Sequence, residues 1–277
     1  MNDSVFGAGR VAVVTGAASG IGLAACQRFA GMGMHVCMAD INSDGLAAAK
    51  PQVEAARSDP GTTVMAVVTD VSDPASIHAL KEKVYGQLGE VAVLMNNAAS
   101  FKREQALGDG PGFRQALDTN LFGVVEGVRS FVPTMIEQAA PCVVINTGSK
   151  QGITMPPGNA VYNVAKAAVK AYTEALQHEL RNTDGCQVSA HLLVPGWTTT
   201  RGREHKPGAW LPGQVVDFML EAIGRGDFYI ICPDGQVTPE LDRKRILWTA
   251  GDIVENRPPL SRWHPDYAAK YASFIEE

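Results

Sequence analysis

Seven short apolar runs, at residues 10–15, 34–39, 63–68, 91–95, 142–146, 187–194 and 228–232, alternate with helix-length segments, and this alternation constrains the fold most. Runs that are apolar throughout suit strands covered on both faces. Helices between successive strands are the crossovers of a parallel sheet, so the chain is predicted to be α/β with a doubly wound parallel sheet of seven strands. Ligands of such sheets gather at the carboxyl ends of the strands. Most of the polar residues with chemical potential in this chain follow directly on one of the runs.

The chain has 277 residues, 45% of them hydrophobic, which is enough to bury a full core in a single domain. Residues 1–232 are expected to form that domain, with 233–277 as a C-terminal extension packing on it or on a partner subunit. A net charge of −5 argues against nucleic acid or an anionic membrane as partner and favours a small molecule. The five cysteines, Cys26, Cys37, Cys142, Cys186 and Cys232, show neither zinc nor disulfide spacing, so no metal is expected. Neither a basic segment followed by a long apolar stretch nor a bilayer-length apolar run occurs, and the expected location is the cytoplasm, away from membranes.

The first run enters Gly16-Ala-Ala-Ser-Gly20-Ile-Gly22 and then an Ala-rich helix over 23–31. Strand, glycine turn and helix together suit a pyrophosphate site, or else form a glycine-rich turn that binds nothing. Gly16 permits the tight turn, Gly20 lets backbone approach the ligand, and Gly22 lets the helix pack closely. The second run stops at Asp40, twenty residues after Gly20. A carboxylate there either accepts both ribose hydroxyls of an adenosine and repels a 2′-phosphate, favouring NAD over NADP, or caps the helix over 45–56. Neither Arg nor Lys lies between Gly16 and Gly22 to neutralise such a phosphate. Asp70 and Val71 offer a carboxylate for an adenine amino group and an apolar wall for its ring. The fourth run ends in Asn96-Asn97-Ala98-Ala99, where small residues leave room for a ligand and the asparagines can tie strand ends together. Residues 101–112 read as a loop over the site.

A long helix is predicted over 113–137, apolar on more than one face (Phe113, Leu117, Leu121, Val124, Val125, Val128). Asn120 in its middle is either satisfied structurally or held for a polar task. Ser149 follows the fifth run, thirteen residues before Tyr162, and Tyr162 precedes Lys166 by four. On a helix over 160–181 that spacing stacks phenol and amine on one face, where an ammonium lowers the phenol's pKa toward a useful acid–base range. This helix too is small or apolar nearly all round, which favours assembly into a homodimer or homotetramer.

TGAASGIG at 15–22, Asp70-Val71, NNAA at 96–99, Asn120, Ser149, YNVAK at 162–166 and Pro195-Gly196 resemble, in order and spacing, the short-chain dehydrogenase/reductase family over about 9–232. The resemblance implies a Rossmann-type, NAD(P)-dependent oxidoreductase acting on a secondary alcohol or ketone. It implies that Tyr162 exchanges the substrate's proton, Ser149 hydrogen-bonds the same oxygen, Lys166 lowers the tyrosine pKa and holds the nicotinamide ribose, and Asn120 keeps a relay water. It assigns the cofactor to Gly16, Ser19, Gly20, Ile21, Gly22, Asp40, Ile41, Asp70, Val71, Asn97, Ala98, Ala99, Tyr162, Lys166, Pro195 and Gly196, with Thr198 and Thr200 fixing the carboxamide. The chain departs from the family at Ala99, at Val164-Ala165 and, above all, at Lys150-Gln151, which either select a polar or acidic substrate group or form a solvent-facing turn.

A short lid over 201–213 carries Arg201, Arg203, His205 and Lys206, which either meet a carboxylate or form a solvated basic loop. Trp197 and Trp210 hint at a bulky or aromatic substrate, or else close a core. In the extension a charged helix is predicted over 238–255, with Arg243, Lys244 and Arg245 on a solvated face. A proline-stiffened segment containing Trp263 and His264 then either docks over the pocket mouth or buttresses the sheet edge. Two other readings stay open, an NAD sensor or scaffold without turnover and an epimerase working through a transient ketone.

Overall fold

The computed structural model describes residues 5–199 and 204–276. It contains the seven parallel strands expected, β1 (Val11–Thr15), β2 (His35–Asp40), β3 (Val64–Val68), β4 (Val91–Asn96), β5 (Cys142–Thr147), β6 (Val188–Val194) and β7 (Tyr229–Ile231), in the spatial order 3-2-1-4-5-6-7. The order reverses between β1 and β4, and the crevice at that reversal is where a ligand of such a sheet binds.

Both faces are covered, as the unbroken apolar runs require. Ala12 and Val14 of β1 point into one core with Phe29 of α1 (Gly20–Gly31) and Leu46 of α2 (Ser43–Ala55). Val11 and Val13 point into the other, with Ile77 of α3 (Pro74–Gln87) and Phe131 of a later helix. Alternate residues of β1 thus bury on opposite faces, which leaves the strand end as the place for polar chemistry.

The helix predicted over 113–137 is not regular. It begins as α4 (Gly112–Leu117), widens into a π turn over Asp118–Phe122 and resumes as α5 (Gly123–Glu137). The widened turn centres on Asn120, whose side chain leaves the helix for the neighbouring loop, and π turns recur at functional sites. A four-residue turn, α6 (Gln151–Thr154), precedes α7 (Ala160–Arg181). Gly152 lies so close to α7 that a Cβ there would be 2.4 Å from the Lys166 carbonyl carbon.

After α8 (Pro212–Arg225) and β7, α9 (Pro239–Val254) opens with Thr238 as N-cap and Pro239 in the first turn. Lys244 and Arg245 are half-buried, contrary to the solvated face predicted for them; the Lys244 ammonium donates to the Ile275 carbonyl at 2.9 Å. That carbonyl belongs to α10 (Ala268–Glu276), an element the sequence reading did not anticipate. Trp248 of α9 anchors the extension: its ring meets Tyr271 and Phe274 at 5.2 Å each, and its indole donates to Ser261 at 2.8 Å.

Candidate active site

The glycine crevice is built from the turn after β1. Gly16 has φ +67° and lies so near the chain after β4 that a Cβ would stand 2.8 Å from the Ala98 Cα. The Thr15 hydroxyl accepts from the amides of Asn97 (2.9 Å) and Ala98 (3.1 Å), while the Asn97 side-chain amide donates to the Thr15 carbonyl at 3.1 Å. The crevice between β1 and β4 is therefore fastened on both sides. Gly20 has φ +57° with nothing within 4 Å of its Cβ position, so backbone is presented to open space as a phosphate needs. Ser19 is the N-cap of α1 without using its side chain as a cap, and Ala18, Ser19 and Gly20 line a cleft facing Gly45 and Ala49 of α2.

Asp40 accepts from the amides of Ala18 and Asn42, each at 2.9 Å, and two of the four lone-pair sites of its carboxylate remain for hydroxyl donors. It does not cap α2. Asn42 does, accepting from Gly45 N at 2.9 Å. Ile41 is exposed beside it. The Asp70 carboxylate is held by the amide and hydroxyl of Ser72, and Val71 is buried beneath Gly123.

At the other strand ends Ser149, Tyr162 and Lys166 converge. Lys166 is 2% exposed, and its ammonium donates to the Thr147 carbonyl at 2.7 Å and stands 5.8 Å from the Tyr162 ring centroid. Burial lowers its pKa from 10.5 to about 8. Burial also raises the Tyr162 pKa above 10, opposed by a hydrogen bond with Ser149. The amine shares a helix face with the phenol, as the four-residue spacing predicts, and hydrogen-bonds to Thr147; burial is the largest influence on the phenol in the free protein. Burial thus favours the protonated phenol in the free protein. Phe101, from the loop after β4, stacks on the Tyr162 ring with centroids 5.9 Å apart.

Asn120 is fully buried, accepting from Ser100 N at 2.7 Å and donating to Ser100 O at 2.9 Å. Lys150, expected either at a solvent-facing turn or toward an acidic substrate, does neither: its ammonium lies 2.6 Å from Asp242 and 3.5 Å from Asp234. Gln151 starts α6 and its amide donates to the Ser149 hydroxyl at 3.2 Å. Trp197 is 42% exposed and its amide donates to Asp234, whereas Trp210 packs edge-on against Phe218 of α8. The segment at 210 pairs with Thr198, whose hydroxyl donates to the carbonyl of Gly196, next to Pro195. Thr200, Arg201 and Arg203 lie outside the described residues.

The expected tie between strand ends is made by Asn96, and it continues into a buried chain behind the site whose other members, Asn146 and Thr173, sequence reasoning missed. Asn96 donates to Asn146 (2.9 Å), Asn146 to Thr173 (3.1 Å), and Thr173 to the Val169 carbonyl (2.7 Å), linking β4, β5 and α7. Only the position of Asn146 and Thr173 in otherwise apolar stretches signalled them. Among the described residues no metal-binding cluster occurs, and no helix is long and apolar enough to cross a membrane.

The glycine-lined crevice at the sheet's reversal and the Ser149–Tyr162–Lys166 grouping agree with a match of residues 10–208 to the short chain dehydrogenase family. The chain belongs to that family. It is 35% identical over 264 residues to 1-deoxy-11-beta-hydroxypentalenate dehydrogenase of Streptomyces exfoliatus, covering 92% of this chain and 94% of the relative. It is 32% identical to 2-dehydro-3-deoxy-L-rhamnonate dehydrogenase (NAD(+)) of Sphingomonas sp. strain SKA58, over 79% of this chain and 82% of that one. Among solved structures, a short chain dehydrogenase/reductase from Burkholderia phymatum in complex with NAD superposes with TM-score 0.82 at 29% identity, covering 92% of this chain and 97% of that one. The protein is thus an oxidoreductase of the short-chain family with an NAD(P)-binding Rossmann fold, acting on hydroxyl groups of small molecules.

Proposed function

We propose that the enzyme transfers hydride between NAD(H) and a secondary alcohol or ketone with Tyr162 as general acid–base. The carrying observation is the convergence of Ser149, Tyr162 and buried Lys166 at the strand ends beside the glycine crevice. The residues present fit a dinucleotide: the open backbone at Gly20 takes the pyrophosphate, and Asp40 takes the ribose hydroxyls and repels a 2′-phosphate. Ile41, Asp70, Val71, Asn97, Ala98 and Ala99 flank the nucleoside, while Pro195, Gly196 and Thr198 hold its carboxamide. Bound there, NAD⁺ supplies the hydride acceptor and a positive charge that favours the phenolate.

In the oxidative direction Ser149 and Tyr162 hold the substrate oxygen, and the Tyr162 phenolate takes the hydroxyl proton as the carbon gives up hydride. In the reductive direction the phenol, which burial keeps protonated, donates to the carbonyl oxygen. Lys166 keeps donors free for a ribose hydroxyl after binding Thr147. The side chain of Asn120 is taken up by Ser100, so holding a relay water falls to its main chain in the π turn.

The aromatic surface of Phe101 and Trp197, and the hydroxypentalenate named for the relative above, support a bulky, largely apolar substrate bearing the reacting alcohol. Trp210 contributes behind Trp197, and Gln151 borders the pocket beside Ser149. Residues 1–232 form the catalytic domain with 233–277 as its extension. Exposed Val164, Ala171 and Ala175 on α7, with Phe122 beside α5, support assembly into a homodimer or homotetramer. Secondary alcohols graded from small to polycyclic, offered with NAD⁺ and with NADP⁺, test the reading. NADH formation from the polycyclic members with NAD⁺ is expected; binding of NADH with no turnover of any alcohol or ketone would overturn it.

A further inference from the structure

We propose that Lys150, Asp234 and Asp242 form a buried ionic node through which the C-terminal extension positions Ser149 and the loop over 195–199. The side chains of Lys150, Asp234 and Asp242 are 18%, 3% and 8% exposed, and the ammonium lies 3.5 Å from the first carboxylate and 2.6 Å from the second. Each member comes from a different part of the chain: the residue after Ser149, the turn after β7, and the first turn of α9.

Asp234 is also pinned by backbone amides on both of its oxygens. It accepts from Trp197 N at 3.0 Å, Gln236 N at 3.0 Å and Val237 N at 2.9 Å. Gly196 lies against it so closely that a Cβ would stand 2.8 Å from its oxygen. Movement of this carboxylate therefore moves the 195–199 backbone. Lys150 is pinned in the same way, because its carbonyl accepts from Ile153 and Thr154 and the preceding Ser149 hydroxyl accepts from Gln151 N. A helix as short as α6 does not hold its own shape in water. Its position depends on the contact of Gly152 with the α7 backbone and on the Lys150 side chain.

Burying an ammonium with two carboxylates is a poor way to gain stability, since apolar residues of equal volume do as well or better; what it specifies is one arrangement of the joined segments. Arg245, one turn along α9, adds a second positive charge that compensates the extra carboxylate. The node consumes the charge that Lys150 would otherwise offer a substrate, so these are positioning residues that act through Ser149 and the loop.

The proposal rests on the dehydrogenase reading, and the test separates the two. Asp242→Asn keeps volume and shape while removing the charge; Asp242→Glu restores it, and Arg243→Ala on the exposed face of the same helix is the control. Expected for Asp242→Asn, with NADH bound, is faster amide hydrogen exchange over Gln151–Thr154 and residues 195–199. On an alcohol that the wild type oxidises, kcat should fall about tenfold or more, with KM within about twofold and recovery in Asp242→Glu. A merely structural pair would lower Tm and leave kcat unchanged well below the transition, and that result, or unchanged exchange in both segments, overturns the proposal. If the wild type oxidises nothing, the dehydrogenase reading falls and the exchange measurement alone decides the node. Lys150→Met, should it fold, is expected to show both effects more strongly.

Discussion

Replacing Gly22 by alanine tests the cofactor end through a collision whose size can be read off the structure. Its Cβ would stand 2.2 Å from the Gly16 carbonyl oxygen and 2.8 Å from the Asn97 side-chain nitrogen. An unstrained carbon–oxygen contact is about 3.3 Å or more, so the turn or the helix must yield by roughly 1 Å. Overpacking of this kind costs about 1–3 kcal/mol of stability. The shift falls on amides proposed to hold the pyrophosphate, and losing one or two hydrogen bonds to a charged group, at about 1.5–3 kcal/mol each, would weaken binding by more than about tenfold. Gly20→Ala is the informative contrast, because no atom lies within 4 Å of its Cβ position and the free protein meets only left-handed strain of about 1–2 kcal/mol. NADH fluorescence titration with thermal melting measures both quantities. Gly22→Ala should lose affinity more than about tenfold and melt earlier; an NADH Kd within about twofold of wild type would refute the reasoning.

Lys166→Met should reveal the cost of a buried ammonium. The lysine's folded pKa, about 8, lies below its unfolded 10.5, so its unfavourable contribution, on the order of 3 kcal/mol, is fully present below pH 8 and is relieved as pH rises toward 10.5. Wild-type stability minus that of Lys166→Met should therefore rise across this window, and a flat difference in chemical denaturation would count against the assignment. Asp40→Ala should weaken NADH by about tenfold and narrow the preference over NADPH, measured as the ratio of the two Kd values. Asn120→Ala leaves Ser100 N and O without their buried partner and should destabilise the fold by about 1–3 kcal/mol in urea titration.

The strands and most helices were legible because covered parallel strands are apolar at every position and their ends are marked by Gly16, Asp40, Asn96 and Ser149. The 160–181 helix was legible in full, and with it the shared face of Tyr162 and Lys166. What could not be read is what depends on long-range neighbours. The direction of the Tyr162 pKa depends on how deeply the ring is buried and on its hydrogen bond with Ser149. Lys150 has a polar neighbour in sequence but ionic partners 84 and 92 positions later, so no local pattern announces them. The π turn at Asn120 goes with its grip on Ser100, which leaves no periodic trace, whereas α10 carries an i, i+3, i+4 apolar stripe, Tyr271, Phe274 and Ile275, that could have announced it.

Tyr162→Phe measures the central claim most directly. The proposed function makes the phenol the acid–base group, and the variant retains the ring that stacks on Phe101. With NADH Kd held within about twofold, single-turnover hydride transfer should fall by about 10²- to 10⁴-fold. Turnover retained near the wild-type rate, with binding intact, would contradict the account.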